Sequence, residues 1–77
     1  MNRERRKRLE AAKEKLEEAY FELEAIKDEE QEAYDNTPES LQQTERGEAM
    51  QNAIDTIDDA MNDVEYAKDK LEELLEG

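Results

Sequence analysis

Cysteine, histidine and tryptophan are missing from this sequence, and its 77 residues include one proline and two glycines. Without cysteine there is no disulfide framework, thiolate metal site or cysteine nucleophile. Without histidine, the commonest general base and the imidazole metal ligands are also missing. No group of residues forms a catalytic constellation. We therefore predict a protein that is not an enzyme and that uses no metal and no cofactor.

Long apolar runs are also missing, since the longest one is Ala19, Tyr20 and Phe21. A membrane-spanning helix needs about 20 apolar residues, and a signal peptide needs an apolar core of about 7 to 15. We therefore expect a soluble cytoplasmic protein that has no membrane partner.

Charge is what the sequence has in abundance, because 45% of its residues are charged and the net charge is −13. Residues 1–8 hold five basic side chains against one acidic, Glu4, whereas residues 9–77 hold six basic and 23 acidic side chains. A body this negative repels nucleic acid and anionic lipid. We expect no direct nucleic-acid binding, and a protein partner with a basic surface. Within the chain, the basic segment Arg5 to Arg8 is predicted to pair with Glu72, Glu73 and Glu76.

Apolar residues recur every seven positions in two arms, as in a coiled coil. In the first arm, a positions hold Leu9, Leu16, Leu23 and Glu30, and d positions hold Ala12, Ala19, Ile26 and Ala33; in the second, a positions hold Met50, Ile57, Val64 and Leu71, and d positions hold Ala53, Ala60, Ala67 and Leu74. The pattern predicts two long helices whose a and d positions form the core. Glu30 is interpreted as a solvated or register-setting carboxylate.

Helix-breaking residues gather between the arms. Asp35 and Asn36 tolerate the left-handed conformation, Thr37 suits an N-cap and Pro38 suits a first helical position. Gly47 either loosens the entry to the second helix or lies inside it. We predict one domain over 1–77, with helix 1 at about 4–35, a turn at 36–46 that contains a short helical turn, and helix 2 at about 47–75.

The turn predicts that the second helix returns antiparallel along the first. If facing residue numbers sum to 83, every a position meets a d position, and five of eight layers pair a large side chain with alanine, which fills space well. The fold class predicted is an all-α antiparallel hairpin. The alternative is one long bent helix that dimerises in parallel and leaves the alanine layers hollow.

A second apolar strip is predicted beside this core, at the e positions and Phe21. It is expected to be the self-association face, by which two hairpins form a four-helix bundle. A different protein bound to the same strip is the alternative. The strip contains Tyr20, Phe21, Tyr34, Ile54, Met61 and Leu75.

The stretch DTIDDAMND supplies four candidate partner contacts, Asp55, Asp58, Asp59 and Asp63. It lacks the order of ligands in a calcium loop. A solvated helix face is the simplest interpretation. Carboxylates at helical spacing also resemble a track of phosphates, so the alternative function is an acidic DNA mimic that inhibits a nucleic-acid-binding protein.

The stretch DNTPESLQQTERGEAMQNAIDTIDDA, which follows KDEEQEAY, resembles a segment of short, acidic, uncharacterised helical proteins of bacteriophages, prophages and other mobile elements. In that group a DNLPESLQ-like turn precedes SERGE and a second heptad helix. The matching positions here are Asp35, Asn36, Pro38, Glu39, Ser40, Leu41, Gln42, Glu45, Arg46, Gly47 and Glu48, and Thr37 stands where the group has Leu. The resemblance covers about residues 27 to 62. It implies a phage accessory or anti-defence protein that binds a host protein, with Leu41, Glu45 and Arg46 as further contact candidates.

Overall fold

The computed structural model describes residues 1–77, which form two long helices joined by a short one. Helix α1 spans Arg3–Asp35, α2 spans Glu39–Gln42 and α3 spans Glu45–Glu76. Helix α3 returns along α1, and the chain forms a rod of 58 × 14 × 14 Å. The predicted all-α helical hairpin is confirmed.

The first helix begins at Arg3 because Asn2 caps it. The Asn2 backbone is extended (φ −80°, ψ 169°), and its side-chain oxygen accepts a hydrogen bond of 2.8 Å from the Arg5 N–H. This bond satisfies one of the N–H groups that the first helical turn leaves without a partner.

The end of α1 differs from the sequence prediction in three ways. No residue has a positive φ, and Asn36 ends the helix in the right-handed region (φ −84°, ψ −6°). Thr37 does not cap the next helix, because its hydroxyl donates to the Ala33 carbonyl (2.8 Å). Pro38 takes the N-cap position of α2, not its first helical position. Because proline disfavours the helical region for the residue before it, the chain leaves α1 at Thr37.

Gln42 and Gly47 hold the turn against the long helices. The Gln42 side-chain amide donates to the carbonyls of Tyr34 (3.0 Å) and Thr37 (3.1 Å), which supplies a partner for a carbonyl at the end of α1. Gly47 lies within the first turn of α3 and is buried. A Cβ there would overlap the Gln42 carbonyl and lie 2.6 Å from the Gln42 Cα. The absence of a side chain at position 47 therefore lets α2 pack directly on α3.

The seam between α1 and α3 is centred on the a positions, with e residues on one side and five half-buried d residues, Ala12, Ala19, Ala53, Ala60 and Ala67, on the other. The predicted a/d core is therefore incomplete, because it leaves out the e positions. Ile54 and Met61, both at e, are the most buried apolar residues, with 8% and 5% exposed. Ile26 and Leu74, both at d, are 45% and 51% exposed. The e positions carry the larger apolar side chains and the d positions are mostly alanine, so packing the e positions inward buries more apolar surface.

The predicted second strip is therefore part of the hairpin's own seam. Ile54 and Met61 are buried, and Tyr20, Tyr34 and Leu75 are half-buried. Only Phe21, at 58% exposure, stands out from the surface. Ile54 and Met61 are thus covered within the hairpin and are not free to join the predicted self-association face.

Two neighbouring residue sums describe the register: the half-buried d alanines match a positions at the predicted sum of 83, and the e residues match a positions at 84. The a and e residues alternate in steps of three and four along both helices. In α1 they run Leu9, Lys13, Leu16, Tyr20, Leu23, Lys27, Glu30 and Tyr34, and in α3 they run Gly47, Met50, Ile54, Ile57, Met61, Val64, Lys68, Leu71 and Leu75. The two series coincide when facing residue numbers sum to 84. The ion pairs Lys13–Glu72 and Lys27–Asp58, which each sum to 85, fit this register because they join neighbouring layers.

The basic segment meets the end of α3 through a backbone group. Arg6 donates to the Leu75 carbonyl, and the predicted ion pairs of Arg5 to Arg8 with Glu72, Glu73 and Glu76 are not formed. The last turn of α3 contains no basic residue of its own. Arg6 therefore supplies, from α1, the positive charge that a helix C-terminus favours.

We predict that Gly47→Ala destabilises the hairpin, whereas glycine to alanine inside an unobstructed helix stabilises it by about 1 kcal/mol. The new methyl would overlap the Gln42 backbone, and overpacking of this kind costs about 1–3 kcal/mol. Urea unfolding followed by circular dichroism measures the change. Gly77→Ala is the control, because the nearest atom to its Cβ would be 3.7 Å away. A Gly47→Ala protein as stable as the wild type would contradict the close packing of α2.

Candidate protein-interaction surfaces

The a/e seam gives the hairpin two different flanks. On a helix with a and e inward, b positions point to one side and d positions to the other. In an antiparallel pair the b positions of both helices share one side, and the d positions share the opposite side. Each flank of the rod is therefore built from matching positions of α1 and α3.

The first flank, which we call the acidic face, consists of the b and f positions from Glu10 onward. Its carboxylates are all exposed except that of Asp58, which is half-buried. They belong to Glu10, Glu14, Glu17, Glu24, Asp28, Asp35, Glu48, Asp55, Asp58, Glu65, Asp69, Glu72 and Glu76. Thirteen carboxylates along 58 Å give a mean spacing of about 4.5 Å, compared with about 3.4 Å for the phosphates of one DNA strand.

Lysines from the seam neutralise a small part of this face. Lys13 lies 3.5 Å from Glu72, and Lys27 lies 2.7 Å from Asp58. Both lysines occupy e positions, where the aliphatic stem covers the seam and the ammonium reaches the surface. The hydrogen bond from Lys27 to Asp58 raises the pKa of the Lys27 ammonium above its ordinary 10.5. These are the two ion pairs of the hairpin, so most of the carboxylates remain unpaired.

Two shallow clefts lie along the acidic face between α1 and α3. The first is lined by five glutamates together with Lys13 and Leu75. The second is lined by Glu17, Tyr20, Phe21, Val64, Glu65 and Lys68. In it, the Tyr20 and Phe21 rings meet edge to face, with centroids 5.8 Å apart. An exposed aromatic ring surrounded by carboxylates offers a contact for a partner that is both basic and partly apolar.

The turn presents a separate exposed surface. Leu41 is 45% exposed, and Glu45 and Arg46 are exposed at the start of α3. Of their neighbours, Gln42 donates a hydrogen bond to the Tyr34 carbonyl of α1, and Gly47 is buried. The turn sequence thus divides into residues that fix its shape and residues that are free to contact a partner.

The four aspartates of DTIDDAMND do not share one surface. Asp55 and Asp58 belong to the acidic face, and Asp58 is the partner of Lys27. Asp59 lies on the outer side of α3, away from the seam, and Asp63 lies beside the opposite flank. No group of three or more acidic side chains is arranged to hold a metal ion. Asp55 and Asp58 therefore remain as candidates for the same surface as the α1 glutamates.

The opposite flank, which we call the apolar face, was not anticipated as a surface. It consists of the d positions Ala12, Ala19, Ile26, Ala33, Ala53, Ala60, Ala67 and Leu74. Ile26 and Leu74 are its large exposed side chains. The size difference between the e and d residues was the signal in the sequence that could have revealed it.

No family model, curated protein or solved structure matches this chain. Neither long helix has an apolar stretch of the length needed to cross a membrane.

We predict that the Lys27–Asp58 pair has a pH-dependent effect on stability. Since the folded-state pKa of Lys27 is raised, the pair's contribution is complete below its ordinary pKa of 10.5 and is lost as the pH rises through the folded value. The difference in melting temperature between wild type and Lys27→Met should therefore shrink above about pH 10.5. In an Asp58→Asn background the same comparison should show no such change. A wild-type difference that persists unchanged to about pH 12 would contradict the assignment.

Proposed function

We propose that this protein is a non-enzymatic interaction module that pairs into a four-helix bundle and binds a protein partner that has a basic surface. One observation carries the proposal: a rigid rod holds thirteen carboxylates on one face, of which two are ion-paired. The helices fix the backbone positions of these carboxylates before binding, so a basic partner orders side chains but no backbone. The field of such a face also speeds the encounter with a basic surface.

The exposed residues of the turn form a second contact in this proposal. Leu41, Glu45 and Arg46 lie at the closed end of the rod, beyond the acidic face. In this arrangement a single partner binds the acidic face along the side of the rod and the turn at its end. The resemblance of this turn to proteins of phages and other mobile elements favours an accessory or anti-defence role, with a host protein as the partner.

Imitation of DNA is the second candidate function. The carboxylate spacing of about 4.5 Å is close to that of a single strand, whereas a duplex carries one charge per about 1.7 Å of its axis. The acidic face is thus less dense than a duplex. This difference favours a general basic protein partner over an enzyme cleft that requires the full charge of double-stranded DNA.

A pair of matched variants tests the role of the acidic face. One removes four b-position charges with Glu10→Gln, Glu17→Gln, Glu24→Gln and Glu65→Gln. The control removes four charges from the outer c positions with Glu18→Gln, Glu32→Gln, Asp59→Asn and Glu73→Gln. Both variants change the net charge equally, so only the position of the lost charges differs. Tagged proteins are used to capture partners from bacterial lysate, with quantification by mass spectrometry.

We predict that the partner is lost with the b-position variant and retained with the c-position variant. Equal loss with both would show that net charge alone is responsible and would contradict a specific face. Captures at low and moderate salt separate the two functions. Mimicry of DNA requires a steep fall in binding with salt, whereas recognition through the turn requires sensitivity to Leu41→Ser and little dependence on salt.

A further inference from the structure

The apolar face is only partly covered within the chain, because its two large side chains, Ile26 and Leu74, are exposed whereas five of its six alanines are half-buried. Three of the 77 residues are buried, and only Ile54 and Met61 among them carry an apolar side chain. A domain with so small a core is marginal when alone.

Charged residues at the g positions border this face in an ordered sequence. On α1 they run Arg8, Lys15, Glu22 and Glu29, and all four are exposed. On α3, Asp63 and Lys70 occupy the same border. Since residue numbers across the seam sum to 84, Lys70 lies level with residue 14 of α1 and Asp63 lies level with residue 21. Both helices therefore place the basic residues toward the open end and the acidic residues toward the turn.

When a second copy of the rod is placed antiparallel to the first, the basic residues of one border face the acidic residues of the other. A two-fold axis midway between Lys15 and Glu22 sets Lys15 against the partner's Glu22. The same axis sets Arg8 against the partner's Glu29, because both pairs have the same midpoint on α1. On α3, the midpoint of Asp63 and Lys70 lies within about one residue of this axis. Facing g positions are the contacts that antiparallel helices make along their borders.

We propose that the apolar face binds the apolar face of a second copy of this chain, with the two rods antiparallel. Ile26 of each copy then lies beside the partner's Ala12, large against small. The alternative with parallel rods sets α1 against the partner's α3, so Lys15 meets Lys70 and Glu22 meets Asp63. Like charges oppose that arrangement. The inference rests on the proposed pairing of hairpins and names its surface and orientation.

Matched substitutions of two exposed apolar residues test the surface. Ile26→Glu alters the apolar face, and Phe21→Glu alters the acidic face of the same helix. Sedimentation equilibrium should give twice the 9.0 kDa chain mass for the wild type and for Phe21→Glu. It should give the single-chain mass for Ile26→Glu at the same concentrations. A wild type that stays monomeric up to about 1 mM would overturn the pairing, and a dimer broken only by Phe21→Glu would overturn the surface.

A charge exchange tests the orientation and does not depend on the fold tolerating Ile26→Glu. Arg8 and Glu29 are 21 residues apart on one helix, about 31 Å, so they have no contact within a chain. Arg8→Glu or Glu29→Arg alone should weaken the dimer at least tenfold, and the double variant should recover most of the affinity. A double variant no tighter than the single variants would overturn the antiparallel arrangement. Partner capture with the c-position control measures the proposed function separately, so its failure and the failure of pairing are distinguishable.

Discussion

The choice of which strip of α1 and α3 faces inward determines the rest of this structure. Packing a and e positions together buries Ile54 and Met61, whereas packing a and d positions would bury mostly alanine methyl groups. Apolar burial stabilises in proportion to area, so the larger side chains take the seam. The acidic b positions then lie on one side of the rod and the small d positions on the other. The strip that faces inward thus determines the position of both candidate interaction surfaces.

The sequence predicted the helices and the hairpin, because heptad spacing and the residues around Pro38 fix these independently of side-chain size. It predicted the a positions of the seam but not that e positions share it. Steps of three and four residues join a to d and also a to e, so periodicity alone cannot distinguish the two cores. The alternation of large residues with alanine made the a/d core attractive. The larger volume of Tyr20, Ile54 and Met61 at e was the decisive quantity, and it was present in the sequence.

Local backbone chemistry explains the remaining differences from prediction. Thr37 has a hydroxyl that can either accept at a helix start or donate at a helix end, and sequence does not distinguish these roles. The Ala33 carbonyl is within reach, so Thr37 donates to it (2.8 Å). From the sequence, Gly47 fits either at the entry to the second helix or inside it. The close approach of the Gln42 backbone shows why a side chain is excluded at position 47. Such contacts depend on the tertiary fold, so residue type and spacing do not predict them.

The distribution of charge connects the two surfaces. A chain of net charge −13 repels its own copies, so two copies approach most easily along the flank with the least net charge. The border of the apolar face carries three basic and three acidic residues, Arg8, Lys15, Lys70, Glu22, Glu29 and Asp63, whereas the acidic face carries thirteen carboxylates. Pairing through the apolar face keeps the two acidic faces on opposite sides of the bundle, as far apart as the geometry allows. The proposed assembly would present two equivalent acidic surfaces, one for each of two copies of a basic partner.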